Sequence, residues 1–312
     1  PFTGPCLLAA GPRIPRRANV GDGAQARAAA AAGAEGVGLL RTEFCFLDRD
    51  TEPSVEEQAD AYGQVFAALD DHKVVVRTLD AGADKPLPFL TDSDEPNPAL
   101  GVRGFRTSRR AQGVLERQLE AIALAASKHA VTVHVMAPMI ATAEEARQFA
   151  ELVHAAGLPT AGVMVEVPSA ALQAATILEE VEFASIGTND LTQYVMASDR
   201  MLGGLAELSD SWQPAVLQLI GMAAAHGSAA EKSVGVCGEA AADPALAVVL
   251  VGLGVTSLSM APRALPAVAE VLSGVSLERA QQIAGSALAA RSPSEAKAAV
   301  RAELPFLDEL GL

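Results

Sequence analysis

Phe183-Ala184-Ser185-Ile186-Gly187-Thr188-Asn189-Asp190-Leu191-Thr192-Gln193 is the stretch on which the fold reading turns. An apolar run stops at Gly, Thr, Asn and Asp, and a helix-like pattern then resumes. A short run bounded by turn residues reads as a buried strand. Its polar tip sets an amide and a carboxylate at the mouth of a sheet, where α/β folds keep their chemistry. The same design recurs at Val163-Met164-Val165-Glu166 and at Val234-Gly235-Val236-Cys237-Gly238-Glu239. Arginine closes two further runs, Val37-Gly38-Leu39-Leu40-Arg41 and Val74-Val75-Val76-Arg77. Strand tips that carry reactive or charged groups in this way predict a single site.

Outward from these tips, strand-like and helix-like stretches alternate. Strands are expected over 14–20, 35–40, 73–78, 131–137, 162–167, 182–186, 233–237 and 256–260. Helices are expected over 23–32, 54–69, 108–127, 142–156, 169–178, 214–226 and 244–251, with more at 262–272, 277–290 and 294–303. Roughly eight β-then-α units in a chain of 312 residues predict an α/β fold closed as a (β/α)8 barrel, with an open doubly wound sheet as the alternative. The stretch 80–106 is rich in Gly, Pro and Asp, and a loop of that length in a compact domain is usually functional. With no solenoid repeat and no linker, residues 1–312 read as one domain.

Half of the residues are hydrophobic, enough for a large core, and no apolar run reaches the roughly 18–20 residues of a membrane span. A net charge of −15 argues against nucleic-acid or anionic-membrane partners, which require clustered Lys and Arg. Cys6, Cys45 and Cys237 are odd in number and lack metal-like spacing, so reduced thiols and a cytoplasmic location are expected. The start, Pro1-Phe2-Thr3-Gly4-Pro5, has neither Met nor a signal pattern and is expected to be a cut from a longer protein.

Arg41 and Arg77 end strand-like runs, and Arg103 and Arg200 lie in loops that can reach the same mouth. Taken singly, each reads as a surface or ion-pair residue. Gathered at one end of a parallel barrel, they would repel one another unless anionic groups sat among them. Arg also suits bidentate recognition of carboxylate or phosphate. The cluster predicts a small, multiply charged anion as ligand. Glu166 and Asp190 either pair with these arginines or hold a metal. Two carboxylates completed by substrate oxygens and water describe a Mg2+ site.

Cys237 has glycines at 235 and 238 and Glu239 beside it. A buried inert thiol is the default reading. A thiol beside arginines is drawn toward thiolate, which makes it a candidate nucleophile or proton carrier. Cys45, between Phe44 and Phe46, reads as packing. His72, His129, His134, His154 and His226 form no metal spacing, and none stands out as catalytic.

Several motifs carry a resemblance. They are Gly38-Leu39-Leu40-Arg41-Thr42-Glu43-Phe44, Val76-Arg77-Thr78-Leu79-Asp80, Asn97-Pro98-Ala99-Leu100-Gly101-Val102-Arg103, Ile186-Gly187-Thr188-Asn189-Asp190-Leu191-Thr192-Gln193-Tyr194 and Val236-Cys237-Gly238-Glu239. In this order, over nearly the whole chain, the sequence resembles the phosphoenolpyruvate-utilising enzymes. Within them it is most similar to the C-terminal phosphoenolpyruvate-binding domain of enzyme I, the phosphoenolpyruvate–protein phosphotransferase of bacterial sugar uptake. Val165-Glu166-Val167-Pro168 and Ala197-Ser198-Asp199-Arg200 favour enzyme I over pyruvate phosphate dikinase and phosphoenolpyruvate synthase, the alternative relatives.

The resemblance implies roles. Arg41, Arg77, Arg103 and Arg200 match the arginines around the phosphate and carboxylate of phosphoenolpyruvate, and Asn189 matches a substrate contact. Glu166 and Asp190 match ligands of Mg2+, with Mn2+ as a substitute. Cys237 matches the acid that protonates enolpyruvate at carbon to give pyruvate. Lys85 matches a lysine near the site, although a solvated loop lysine is its plainer reading. The chain departs from its relatives at Ala81-Gly82-Ala83-Asp84-Lys85, where two adjacent glycines are common. Implied partners are an N-terminal phosphohistidine domain, through it the phosphocarrier protein, and a second copy in a homodimer. None of the histidines here lies in the family's Gly-rich acceptor motif, so the expected role is the substrate-binding half. A phosphoenolpyruvate sensor without turnover and a Mg2+-dependent carbon–carbon lyase are the competing readings.

Overall fold

Eight short, almost wholly buried strands set the architecture: β1 Arg16–Val20, β2 Val37–Arg41, β3 Lys73–Arg77, β4 Thr132–Ala137, β5 Ala161–Val165, β6 Phe183–Ile186, β7 Ser233–Val236 and β8 Ser257–Met260. In the computed structural model of the chain, which describes residues 6–81, 87–91 and 94–312, they pair in parallel in sequence order. β8 returns to β1, giving the closed (β/α)8 barrel that the alternation predicts. Both faces are covered, which is why the strands read as continuous apolar runs. In β3, Val74 and Val76 face the helical layer, while Val75 joins Leu39, Met136, Met164, Phe183 and Cys237 inside the barrel.

Register sets the functional groups at one level. Arg41 stands opposite Arg77, Val165 opposite Ile186, and Ile186 opposite Val236. The residues at these strand ends therefore emerge side by side at the C-terminal mouth. The expected helix over 169–178 is two, Pro168–Leu172 and Ala174–Glu180, because Gln173 between them departs from helical dihedrals at φ −104°, ψ 20°. Helix Thr188–Met196 follows β6 after one residue and carries Asn189 and Asp190 in its first turn. Among the described residues, no helix is long and apolar enough to cross a membrane.

Polar anchors hold the loops above β2 and β3. Gln118, fully buried on helix Gln112–Ala126, accepts from Leu79 N (2.8 Å) and donates to Thr42 Oγ1 and Tyr62 Oη (3.0 Å each). Thr42 Oγ1 in turn donates to Arg77 O at 2.8 Å. The Gln118 amide and the Thr42 and Tyr62 hydroxyls are all hydrogen-bonded, so this relay fixes the tips without an unmet desolvation cost of its own. The loop carrying Arg103 is pinned by Phe105, whose ring meets Phe149 edge-on at 5.7 Å and whose N–H donates to Pro138 O at 3.1 Å. An edge-to-face aromatic pair contributes about 0.5–1.5 kcal/mol beyond its buried area.

Candidate active site

At the C-terminal mouth lies a cavity of about 760 Å3. Arg41, Arg77, Glu166, Asn189, Asp190, Arg200 and Cys237 all line it. The strand tips singled out in the sequence therefore do converge. Arg103 is not among the lining side chains, and Lys85 lies outside the described residues.

The arginines differ in how they are neutralised. Arg77, buried, bonds Glu43 Oε1 through Nη2 at 2.8 Å and lies 3.3 Å from Asp80 Oδ2 through Nη1. Arg103, 3% exposed, reaches both oxygens of Asp80 at 3.1 and 3.3 Å and Asp190 Oδ1 at 2.9 Å. These carboxylates hold both guanidinium groups firmly protonated despite burial. Arg200 reaches Asp190 Oδ2 at 3.5 Å. Its place follows from Ala197, which ends helix 188–196 in the left-handed region (φ 49°), so that the chain doubles back and Arg200 N donates to Gln193 Oε1 at 3.0 Å. Arg41 stacks over Phe44 with its guanidinium carbon 5.4 Å from the ring centroid, and its buried Nε has no hydrogen-bond partner.

Glu166, just past β5, accepts from Met139 N at 2.7 Å through Oε1. Met139 adopts φ 60°, a left-handed conformation that costs a non-glycine residue energy, and strain of this kind clusters where backbone is held for function. A Cβ on Gly187 would stand 2.6 Å from Glu166 Oε2, so only glycine lets the β6 tip pass this carboxylate. Burial, then the nearby charges of Asp190 and Asp80, push the Glu166 carboxyl up to about 8, with Arg77 and Arg103 offsetting only part.

That imbalance bears on Mg2+. Crowded, buried carboxylates gain from a divalent cation, and Glu166 and Asp190 supply the hard oxygen donors Mg2+ prefers. No group of three or more His, Cys, Asp or Glu among the described residues forms a cage alone. Asp190 also pairs with Arg103 and Arg200, so the two readings of that residue are not exclusive.

Cys237 follows β7, is 3% exposed, and has Sγ 3.7 Å from Ile186 O. Burial pushes its thiol up to about 11, and the neighbouring Glu166 adds to the rise beyond what Arg77 offsets. The expected drift toward thiolate is thus corrected: the group rests as a protonated thiol. Leu39, Met164 and Met260 give this part of the cavity an apolar wall. A Cβ on Gly238 would collide with Thr188 Oγ1 at 1.9 Å, so glycine is what lets the β7 tip sit against the first turn after β6. There, Glu239 N donates to Asn189 Oδ1 at 3.2 Å.

Three residues were given no role in the sequence reading. Glu43 and Asp80 are the counter-charges of the arginines. Asn19, at the end of β1, donates to Cys237 O at 2.8 Å and accepts from Ser259 Oγ at 2.6 Å, tying β1, β7 and β8 together beneath the thiol. The position of Asp80 three residues after Arg77 was the available signal for one of these pairs. Asp199, beside Arg200, accepts from Met201 N at 2.9 Å.

Residues 3–277 match the family described as PEP-utilising enzyme, PEP-binding domain. The chain is 53% identical over 304 residues to a phosphoenolpyruvate-protein phosphotransferase of Streptomyces coelicolor, covering 97% of this chain and 55% of that protein. It is 42% identical over 299 residues to a multiphosphoryl transfer protein of Rhodobacter capsulatus, covering 94% of this chain and 36% of that one. The chain thus spans about half or less of the length of these curated relatives. Among solved structures, an HpcH/HpaI aldolase/citrate lyase family protein from Burkholderia cenocepacia shares the fold at a TM-score of 0.50 and 17% identity, over 80% of this chain and 89% of that one.

Proposed function

The chain belongs to the phosphoenolpyruvate-utilising enzymes, as their phosphoenolpyruvate-binding domain, and on that premise we propose that it binds phosphoenolpyruvate with Mg2+ or Mn2+ and supports transfer of the phosphoryl group to a histidine of a separate N-terminal domain, releasing pyruvate, in sugar phosphotransferase uptake. The observation that carries this reading is the convergence of Arg41, Arg77 and Arg200 with Glu166, Asp190 and a protonated Cys237 around one cavity.

Phosphoryl transfer needs positioning and charge cancellation more than covalent help. In this reading Arg41, Arg77 and Arg200 receive the phosphate and carboxylate, while Asn189 contacts substrate. Arg103 serves the same anion by fixing Asp80 and Asp190. Glu166 and Asp190 would hold Mg2+, which when bound neutralises phosphate charge. As the bond between phosphorus and the enol oxygen breaks, a bond from phosphorus to the acceptor imidazole nitrogen forms, and the electron pair stays on enolpyruvate. The methylene carbon then takes the proton from Cys237 Sγ. This gives pyruvate and a thiolate that solvent reprotonates. A thiol held near 11 is protonated at neutral pH, as a donor at carbon must be.

The reading includes a phosphocarrier protein downstream of the histidine domain, a cytoplasmic setting and a homodimer, whose absence in sedimentation at micromolar concentration with ligand would remove the last point. The central test mixes this chain with a phosphohistidine domain, phosphoenolpyruvate and Mg2+. Phosphate on the histidine together with stoichiometric pyruvate is expected. Ligand binding with neither product would leave a sensor.

A further inference from the structure

The barrel interior is not apolar along its whole length. At its N-terminal end, Lys73 at the start of β3 and His134 of β4 meet the ring of Phe183, and Arg17 of β1 lies beside them. Lys73 Nζ lies 5.2 Å from the ring centroid, and the imidazole centroid of His134 lies 5.3 Å from it. A cavity of about 20 Å3 opens here, lined by Arg17, Lys73 and the serines at 185, 233, 257 and 259. No carboxylate lines it.

The charges at this end are unbalanced. Among the described residues, neither Arg17 nor Lys73 has a carboxylate at ion-pair distance. Glu35, whose field reaches Arg17, is engaged by Arg13 and Arg16. Arg17 Nε and His134 Nδ1 are buried without hydrogen-bond partners. Burial and the charge of Arg17 lower the Lys73 ammonium to about 8, and burial, Lys73 and Arg17 lower the His134 imidazole to about 4. Arg and Lys are donors only, and the hydroxyls of Ser233 and Ser257 can turn to donate. The cavity is therefore rich in donors and positive potential, yet it has no fixed negative charge.

Its size narrows the ligand. A space of about 20 Å3 is roughly that of one or two probe spheres, enough for a water or a halide ion. Water would satisfy the donors and leave the charge, whereas an anion would offset both. We propose that the N-terminal floor of the barrel binds a single halide-sized anion between Arg17 and Lys73, at the end of the barrel opposite the phosphoenolpyruvate site.

Bromide locates the site directly. Crystals of the wild-type chain soaked in sodium bromide should show an anomalous peak between Arg17 and Lys73, and bromide confined to the C-terminal arginines would overturn the proposal. In solution, chloride should raise the melting temperature saturably over sodium gluconate of equal ionic strength. Lys73→Met keeps the side chain's apolar stem against Phe183 and should lose that increment. Arg17→Gln provides a second variant should Lys73→Met fail to fold. An increment unchanged in a folded variant of either residue would also overturn the proposal.

Discussion

Arg103 Nη1 stands 2.9 Å from Asp190 Oδ1, and this buried pair joins the loop beyond β3 to the first turn beyond β6. Through Asp80, which both Arg103 and Arg77 reach, the link continues to Glu43. The anion-binding arginines and the candidate metal carboxylates thus form one network. Change in the charge of any member alters the others, because a buried charge left unpaired is costly.

The metal assignment is the first thing this network exposes to test. Phosphoenolpyruvate binding followed by calorimetry should require Mg2+ or Mn2+ and fall at least about tenfold, roughly 1.4 kcal/mol, in excess chelator. Asp190→Asn keeps an oxygen for Arg103 and loses the anionic donor, so it should abolish the difference between the two buffers. Equal affinity of the parent protein in metal and in chelator would remove the ion from Glu166 and Asp190.

Glu43 should matter to both stability and binding. Glu43→Gln removes the nearer charge beside the buried Arg77 guanidinium and leaves Asp80 as its carboxylate at ion-pair distance. Breaking a buried pair in this way costs about 3–5 kcal/mol, and the remaining Asp80 contact should bring the loss toward the lower end. Urea unfolding reads it directly. A loss within the roughly 0–1 kcal/mol of an exposed pair would show that Glu43 is dispensable. Arg77→Ala should weaken phosphoenolpyruvate binding by about 2–4 kcal/mol, since a desolvated ligand charge then lacks its partner.

The sequence made the barrel legible because each strand is short, buried on both faces and bounded by turn residues, from Val74-Val75-Val76 to Phe183-Ala184-Ser185-Ile186. Strand ends were legible for the same reason, and with them Arg41, Arg77, Glu166, Asp190 and Cys237. The counter-charges were harder to see. Glu43 meets Arg77 across 34 positions and Asp190 meets Arg103 across 87, so no local spacing records either pair. The state of the Cys237 thiol was misread because its neighbours in sequence gave no measure of burial, and burial outweighs the arginines. The cation cluster at the other end was invisible too. Arg17, Lys73 and His134 sit on three different strands and meet only when the barrel closes.

His134 gives the chain a stability that depends on pH. Its folded pKa of about 4 lies below the ordinary 6.5, because burial, Lys73 and Arg17 all disfavour its charged form. Between those values the unfolded chain binds more protons than the folded one, so stability rises with pH across the window. The contribution is complete above about 6.5 and is lost as pH falls toward 4. Urea midpoints measured in halide-free gluconate should show this slope, and His134→Gln should flatten it. An unchanged slope in the variant would assign the dependence to other groups. Chloride should make the parent's slope shallower, since an anion beside Arg17 and Lys73 weakens the repulsion that His134 feels.

Cys237 is the sharpest test of the proposed chemistry. If its thiol protonates the enolate, Cys237→Ala should retain phosphoenolpyruvate binding, because Arg41, Arg77, Arg200 and the carboxylates remain in place. It should lose exchange of solvent deuterium into the methyl group of pyruvate, the half-reaction that needs an acid–base group at carbon. Reconstituted with a phosphohistidine domain, the variant should form pyruvate more slowly by the ~10²–10⁴-fold typical of a lost general acid. A thiol held at about 11 adds a second readout, since alkylation of Cys237 by iodoacetamide should be negligible near neutrality and climb about tenfold per pH unit below that value. A cysteine that only packs against Met164 and Leu39 predicts the reverse, a modest loss of stability with turnover nearly intact. Wild-type exchange in a folded Cys237→Ala protein would therefore take the residue out of the mechanism and leave protonation to solvent or to another group in the cavity.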